Sequence, residues 1–384
     1  MAPRRPQKVP GAGCTPDSGG MVLRKKAVPG FGSSRRGFLQ SVATAGLSAV
    51  AASGIAKAQF IAPSVSPSPA GGASTDAAVS VEVKARSIPW FDRHDHDRGR
   101  FGALEYRSGL VLTSSFPRFG GLSGLRLDAR GERFISFSDH GHWFTGRILY
   151  EGRAMAGLAD VESAPMLGPD GKPVTARGWF DSESIALDGS FVYIGFERVN
   201  KVLRFDFSKG FTRARGEVVP LPKAASKLPN NKGLEALVFV PKGQPLAGTL
   251  IAMSERGLDA NGNLIAFLVG GPAPGQFSVR RSEDFDISDA VLLPAGDLLI
   301  LERKFSWLSG IGIRIRRIPL TSVAPGAVID GPSIFEANLA NEVDNMEGID
   351  AHLTAEGETV LTMVSDDNFS MIQRTLLLQF ALVE

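Results

Sequence analysis

Acidic residues in this chain recur at fixed places relative to short alternating runs, and that recurrence is where chemistry would lie. Glu183, Glu235, Asp289 and Glu347 each open such a run, and a first copy has Ser123 in the same place. Asp139, Glu197, Glu255, Glu302 and Asp366 close the five runs. Carboxylates gathered at one point repel one another, so they need a cation, an arginine or protonation. Hard oxygen ligands of this kind suit calcium or magnesium. Three closing acids are followed directly by arginine, as Glu197-Arg198, Glu255-Arg256 and Glu302-Arg303, and the planar guanidinium suits phosphate or carboxylate. Neighbours in a strand point to opposite faces. One member of each pair would therefore enter a shared site while the other pairs with an adjacent unit. Salt bridges between units, or solvated turns, are the simpler use of the same residues.

The elements that must position these acids are β-hairpins. The five copies span 122–139, 181–198, 232–256, 286–303 and 345–368. Each holds two period-two apolar runs separated by Gly, Pro or Asp turns, the hairpin signal. In an antiparallel hairpin the start of the first strand and the end of the second lie at one end, so both acids of a copy share an edge. A unit recurring about every 50–60 residues suggests blades or an array, and a radial arrangement brings the acidic edges to one mouth of a central channel. Further strands are expected at 201–207, 264–269, 312–318 and 375–383, with one short helical turn at 224–228. Strands left over at both termini would complete one blade and so remove exposed edges. The run 79–88 is expected as the strand that begins the domain. The absence of alternating strands and helices excludes a doubly wound or TIM fold. The expected fold is all-β, a β-propeller of five to seven blades, with six favoured.

The motifs Gly121-Leu122-Ser123-Gly124-Leu125, Asp181-Ser182-Glu183-Ser184-Ile185, Asn231-Lys232-Gly233-Leu234-Glu235-Ala236, Ser254-Glu255-Arg256, Asn345-Met346-Glu347-Gly348-Ile349 and Ser365-Asp366-Asp367-Asn368-Phe369 carry a family likeness. The chain resembles the bacterial phytase-like family whose domain is labelled "esterase-like activity of phytase", over nearly the whole of the domain from residue 79. The resemblance implies a β-propeller and hydrolysis of an ester or phosphate ester.

The reading that follows is a calcium-dependent phosphoric-ester hydrolase. Its expected metal ligands are Glu183, Glu235, Glu255, Glu347 and Asp366. Arg198, Lys232, Arg256 and Arg303 are expected to hold a small anionic or ester substrate. Asp139, His140 and Glu183 are the expected catalytic residues, with Asp139 and His140 in a loop beyond a strand end. There is no G-x-S-x-G elbow for a serine nucleophile. A lactonase or carboxylic-ester hydrolase with His140 as base, and a binding propeller without turnover, are the alternatives. His94 and His96 lie among Asp and Arg residues in 90–100 and read as a solvated loop.

Composition bounds the rest. The 384 residues are 43% hydrophobic and 21% charged, ample for a globular core. A net charge of +2 gives no argument for nucleic acid. The single cysteine, Cys14, precedes the expected cleavage point, which excludes thiol catalysis and cysteine-held metals in the mature protein. Ser34-Arg35-Arg36-Gly37-Phe38-Leu39-Gln40 matches the twin-arginine export pattern. A short Ala-rich apolar run and Ala56-Lys57-Ala58 follow it. The apolar run is too short for a comfortable membrane anchor. The expectation is a signal at 1–58, a Pro/Ser/Ala/Gly linker at 59–78 and a domain at 79–384. The protein would leave through the twin-arginine machinery, be cut near Ala58, and act in the periplasm or outside the cell as a monomer.

Overall fold

Alternating apolar residues, many β-branched or aromatic, favour strands that bury one or both faces, and here they build five small antiparallel sheets. The computed structural model describes residues 78–306 and 310–383. It divides at residue 70 into two units; the first, where the export signal and most of the linker are expected, lies outside the described residues. No helix among the described residues is long and apolar enough to cross a membrane.

The first blade runs outward from Leu122–Leu127 through Arg133–Ser138 and His142–Glu151 to Ala154–Pro165, with Val79–Ser80 at its edge. The second is Ser182–Asp188, Phe191–Phe196, Lys201–Asp206 and Glu217–Val219. The third is Leu234–Phe239, Thr249–Leu258, Leu264–Gly270 and Gly275–Val279, edged in parallel by Val328–Ile329. The fourth is Asp286–Leu292, Asp297–Ser306, Gly310–Pro319 and Ser333–Asn338. The fifth begins with Asn345–Leu353 and Thr359–Asp366, continues with the C-terminal strand Thr375–Leu382, and ends with Leu104–Thr113 and Lys84–Ile88.

The five innermost strands contact one another in cyclic order, the fifth returning to the first. The buried apolar side chains form five clusters, one between each pair of neighbouring blades. The fold is thus a five-bladed β-propeller, at the low end of the expected range and one blade short of the favoured six. The blade made from both termini is present as expected, and it uses strands already counted. The closing blades touch by backbone: a side chain on Gly348 would meet the Gly124 Cα and the Leu125 nitrogen, both at 3.0 Å. The run 79–88 is not one strand. Val79–Ser80 joins the first blade and Lys84–Ile88 the fifth, so this segment stitches the ring at its seam.

Candidate active site

Every innermost strand carries a register shift near its start. Its partner skips one residue in each blade: Ser123, Glu183, Glu235, Ser288 and Glu347. A bulge places an extra residue on one strand and re-aims its side chain, and five in the same place make a ring. On the adjoining strand, the residue that pairs with the one just before the bulge is followed by Asp139, Glu197, Glu255, Arg303 or Asp366. Glu183, Glu235, Glu347 and all five of these line one cavity of about 1160 Å³.

The cavity is a cup rather than a through-channel. The Arg126 guanidinium sits buried on the axis. Its Nη1 donates to the carbonyls of Leu125 (2.7 Å) and Ile349 (2.9 Å). Its Nη2 donates to those of Ile185 (2.5 Å), Leu237 (3.2 Å) and Ala290 (3.1 Å). One side chain therefore bonds the backbone of all five blades. Asp289 neutralises it at 2.8 Å, and Asp350 accepts from the Leu127 nitrogen at 2.6 Å.

Electrostatics in the cup are dominated by burial of acids beside acids. Burial, then the charges of Glu347 and Asp366, hold Glu183 well above the ordinary carboxylate range. Burial, then Glu183 and Glu347, do the same to Glu235. Burial raises Glu347 to about 8 although Arg303 opposes the shift. Burial also raises Asp366 and Asp139 to about 7, with Asp181 adding to the shift of Asp139. Glu197 is raised to about 7 by burial and by Glu255. The acids' chief internal counter-charge is Arg303. Its Nη1 lies 2.7 Å from Glu347 Oε1, and its Nη2 lies 3.3 Å from Glu235 Oε1 and 3.6 Å from Glu255 Oε1.

Two acids expected at the mouth are elsewhere, each by one residue of register. Ser288, not Asp289, occupies the bulge of the fourth blade, and Asp289 is the counter-ion of Arg126. Glu302 pairs across from Ile287 and is fully buried between Arg314 Nε (2.7 Å) and Arg316 Nη2 (2.5 Å). Arg303 takes the position that holds an acid in the other four blades. A one-residue shift sends a side chain to the other face of its strand, so the Glu302-Arg303 pair is not equivalent to Glu197-Arg198 and Glu255-Arg256.

The expected substrate-binding groups Arg198, Lys232 and Arg256 line the same cavity as Arg303, and each already holds a carboxylate. Arg198 pairs with Asp181. Lys232 Nζ is 2.7 Å from Glu255 Oε2. Arg256 in the third blade pairs with Asp286 in the fourth, its Nε at 2.8 Å. His140 is not in the cup wall. It stacks on Phe369 with ring centroids 4.6 Å apart, its Nε2 lies 3.9 Å from Asp139 Oδ2, and burial lowers its pKa. His96 stacks on Trp90 at 3.8 Å in an exposed loop, as expected for that segment.

Asp181, Asp286, Asp344 and Arg126 are site or supporting residues that sequence reasoning did not single out. The bulge residue precedes a small residue and then an apolar one in Ser123-Gly124-Leu125, Glu183-Ser184-Ile185, Glu235-Ala236-Leu237 and Glu347-Gly348-Ile349, but in the fourth copy that pattern picks Asp289-Ala290-Val291. Only the apolar residue just before the bulge, as in Leu122, Leu234, Ile287 and Met346, points to Ser288.

The donor chemistry fits a hard cation. Asp139 Oδ1 and Glu235 Oε2 are buried without a hydrogen-bond partner, and the surrounding oxygens are carboxylate. Among the described residues no three acids are drawn together into a ready-made ligand set, so a bound ion would require side-chain adjustment.

No curated protein gives a significant sequence match. Several solved structures are similar at low identity. Glutaminyl cyclase from Myxococcus xanthus is 10% identical, covering 69% of this chain and 92% of its own, with a TM-score of 0.35. The β-propeller domain of Cps50 (Swd1) from Myceliophteria thermophila is 13% identical over 66% and 68%, with a TM-score of 0.32. A putative 6-phosphogluconolactonase from Bacteroides uniformis is 14% identical over 71% and 78%, with a TM-score of 0.33. The model of the Phytase-like family, described as esterase-like activity of phytase, matches residues 117–369. That span holds all five bulged strands and the whole acidic ring, and the chain belongs to this family.

Proposed function

We propose that the protein is a metal-assisted hydrolase of phosphoric esters working in the acidic cup. The observation that carries the proposal is the excess of buried carboxylates over internal cations, with raised pKa values and unpartnered oxygens at Asp139 and Glu235. Glu183, Glu235, Glu347 and Asp366, with Glu255 beside them, would hold the ion, for which calcium is the natural choice among hard cations. When bound, such an ion neutralises phosphate charge and makes a water easier to deprotonate. Asp139, raised to about 7 by burial, is poised to hold or release a proton near neutral pH. Arg198, Lys232 and Arg256 stand at the rim, where a phosphate could exchange with the carboxylates they now hold. Arg303 keeps the cup from closing to substrate anions by lowering its negative potential.

The test is phosphate release from a simple phosphomonoester. It should depend on calcium, stop with a chelator, and fall at least about a hundredfold in Glu183→Gln, the scale for loss of one positioned charged group. Release that ignores both chelator and substitution would reject the proposal. A second reading, a binding propeller without turnover, is favoured by the prior pairing of Arg198, Lys232 and Arg256 with acids. It expects no release under any metal condition.

Export through the twin-arginine machinery and action outside the cytoplasm as a monomer complete the proposal, resting on Arg35-Arg36 and the Ala58 cleavage pattern. Replacing both arginines by lysine should leave precursor in the cytoplasm; unchanged appearance of the folded protein in the periplasm would reject that route.

A further inference from the structure

The cup wall is chemically two-sided. From the first three blades it receives only charged or amide side chains: Asp139, Asp181, Arg198, Asn231, Lys232 and Arg256 at the rim, above the inner acids. All its apolar residues come from the fourth and fifth blades. Phe305 belongs to the second strand of the fourth blade and Ile311 to the third. Leu339 follows that blade's last strand, and Ile372 lies between the second and third strands of the fifth. Two are unusually open to solvent: Leu339 is 52% exposed and Ile372 90%. Beside Ile372, Met371 is fully exposed. Single exposed apolar residues need no explanation, but several on one side of a charged cavity mark a binding surface.

The basic groups on the apolar side are turned to local use. Arg374 Nη1 lies 2.6 Å from Glu342 Oε2 and its Nε lies 3.6 Å from Asp344 Oδ2, while Arg93 Nε lies 3.1 Å from Glu342 Oε1. Lys304 Nζ sits 4.2 Å from the Phe285 ring centroid.

We infer that the ligand of this cup is amphiphilic: a phosphate ester or phosphonate whose organic group is aromatic or aliphatic and lies over the wall of the fourth and fifth blades. A small, uniformly polar phosphate would leave that wall in water. A ligand with an apolar group covers Leu339 and Ile372 and gains from the area removed from water. This rests on the proposed phosphoric-ester reading for the polar end only; the apolar wall stands without it.

The test separates the two. Binding of benzylphosphonate and methylphosphonate, which contain no ester to cleave, is measured by calorimetry on the full chain with calcium present. Hydrolysis of naphthyl phosphate and glycerol phosphate is measured alongside. The expected result is tighter binding of benzylphosphonate, on the order of tenfold or more for a buried ring, with a matching preference for naphthyl phosphate. Ile372→Ser and Leu339→Asn, both at exposed positions, should bring the binding ratio toward one, and a melting curve on each variant checks folding. Equal binding of the two phosphonates, or binding of neither, overturns the inference. A benzyl preference without hydrolysis of either ester leaves the inference standing and rejects the hydrolase reading. Hydrolysis without any preference for the apolar group does the reverse.

Discussion

At the scale of single residues, the cup is a set of acids held in a protonation state that water would not allow. Glu347 is shifted by burial from an ordinary 4.5 to about 8, so between those values the folded chain binds a proton that the unfolded chain has released. Stability conferred by that proton is complete below about 4.5 and is lost as pH rises through 8. Asp366 and Asp139, raised to about 7, act in the same direction. Metal-free protein should therefore lose stability from pH 5 to pH 8, and added calcium should flatten the loss. Glu347→Gln should be more stable than the parent at pH 8 without metal, by on the order of 1–3 kcal/mol. Urea unfolding at pH 5 and pH 8 with chelator present checks both; equal stability at the two values would contradict the shifts.

At the scale of elements, the hairpins and their shared acidic edge were legible in the sequence because alternation and turn residues are local signals. Strands at 201–207, 264–269, 312–318 and 375–383 and the short turn near 224–228 match observed elements to within a residue or two. Register was not fully legible. A bulge adds a residue without altering alternation on either side of it, so Asp289 and Ser288 could not be told apart by acid type alone. The same one-residue ambiguity placed Glu302 at the mouth, where Arg303 stands. The two positions make different predictions. Glu302→Gln would strip the buried Arg314 and Arg316 of their shared carboxylate and should cost about 3–5 kcal/mol, the range for breaking a buried pair. It should leave the calcium response of the melting temperature intact, because Glu302 does not line the cup. A tolerated substitution, or one that abolishes the calcium response, would count against the assigned register.

At the scale of the whole molecule, the ring is closed by the blade that joins both termini and is pinned by one side chain on the axis. Neither the blade count nor the pin could be read from local pattern, since both depend on how many strands the termini contribute and on where five carbonyls converge. Arg126→Met would leave Asp289 buried without its partner and release carbonyls from every blade. It should destabilise the domain by about 3–5 kcal/mol, and Arg126→Met with Asp289→Leu should recover part of that loss. Equilibrium unfolding of the single and double variants checks the pin; a single variant as stable as the parent would show that the ring does not need it. The central claim, that four of the five blades aim their acids at one point in order to hold a divalent cation, is met most directly by titrating calcium into chelator-treated protein and following its melting temperature. A saturable rise is expected, equivalent to about 2.7 kcal/mol at a hundredfold excess over the dissociation constant, and it should be sharply weakened in Glu235→Gln and in Glu347→Gln. A melting temperature that ignores calcium in the parent, or that responds in both variants as it does in the parent, would contradict the account and leave the carboxylates with their arginine, lysine and backbone partners.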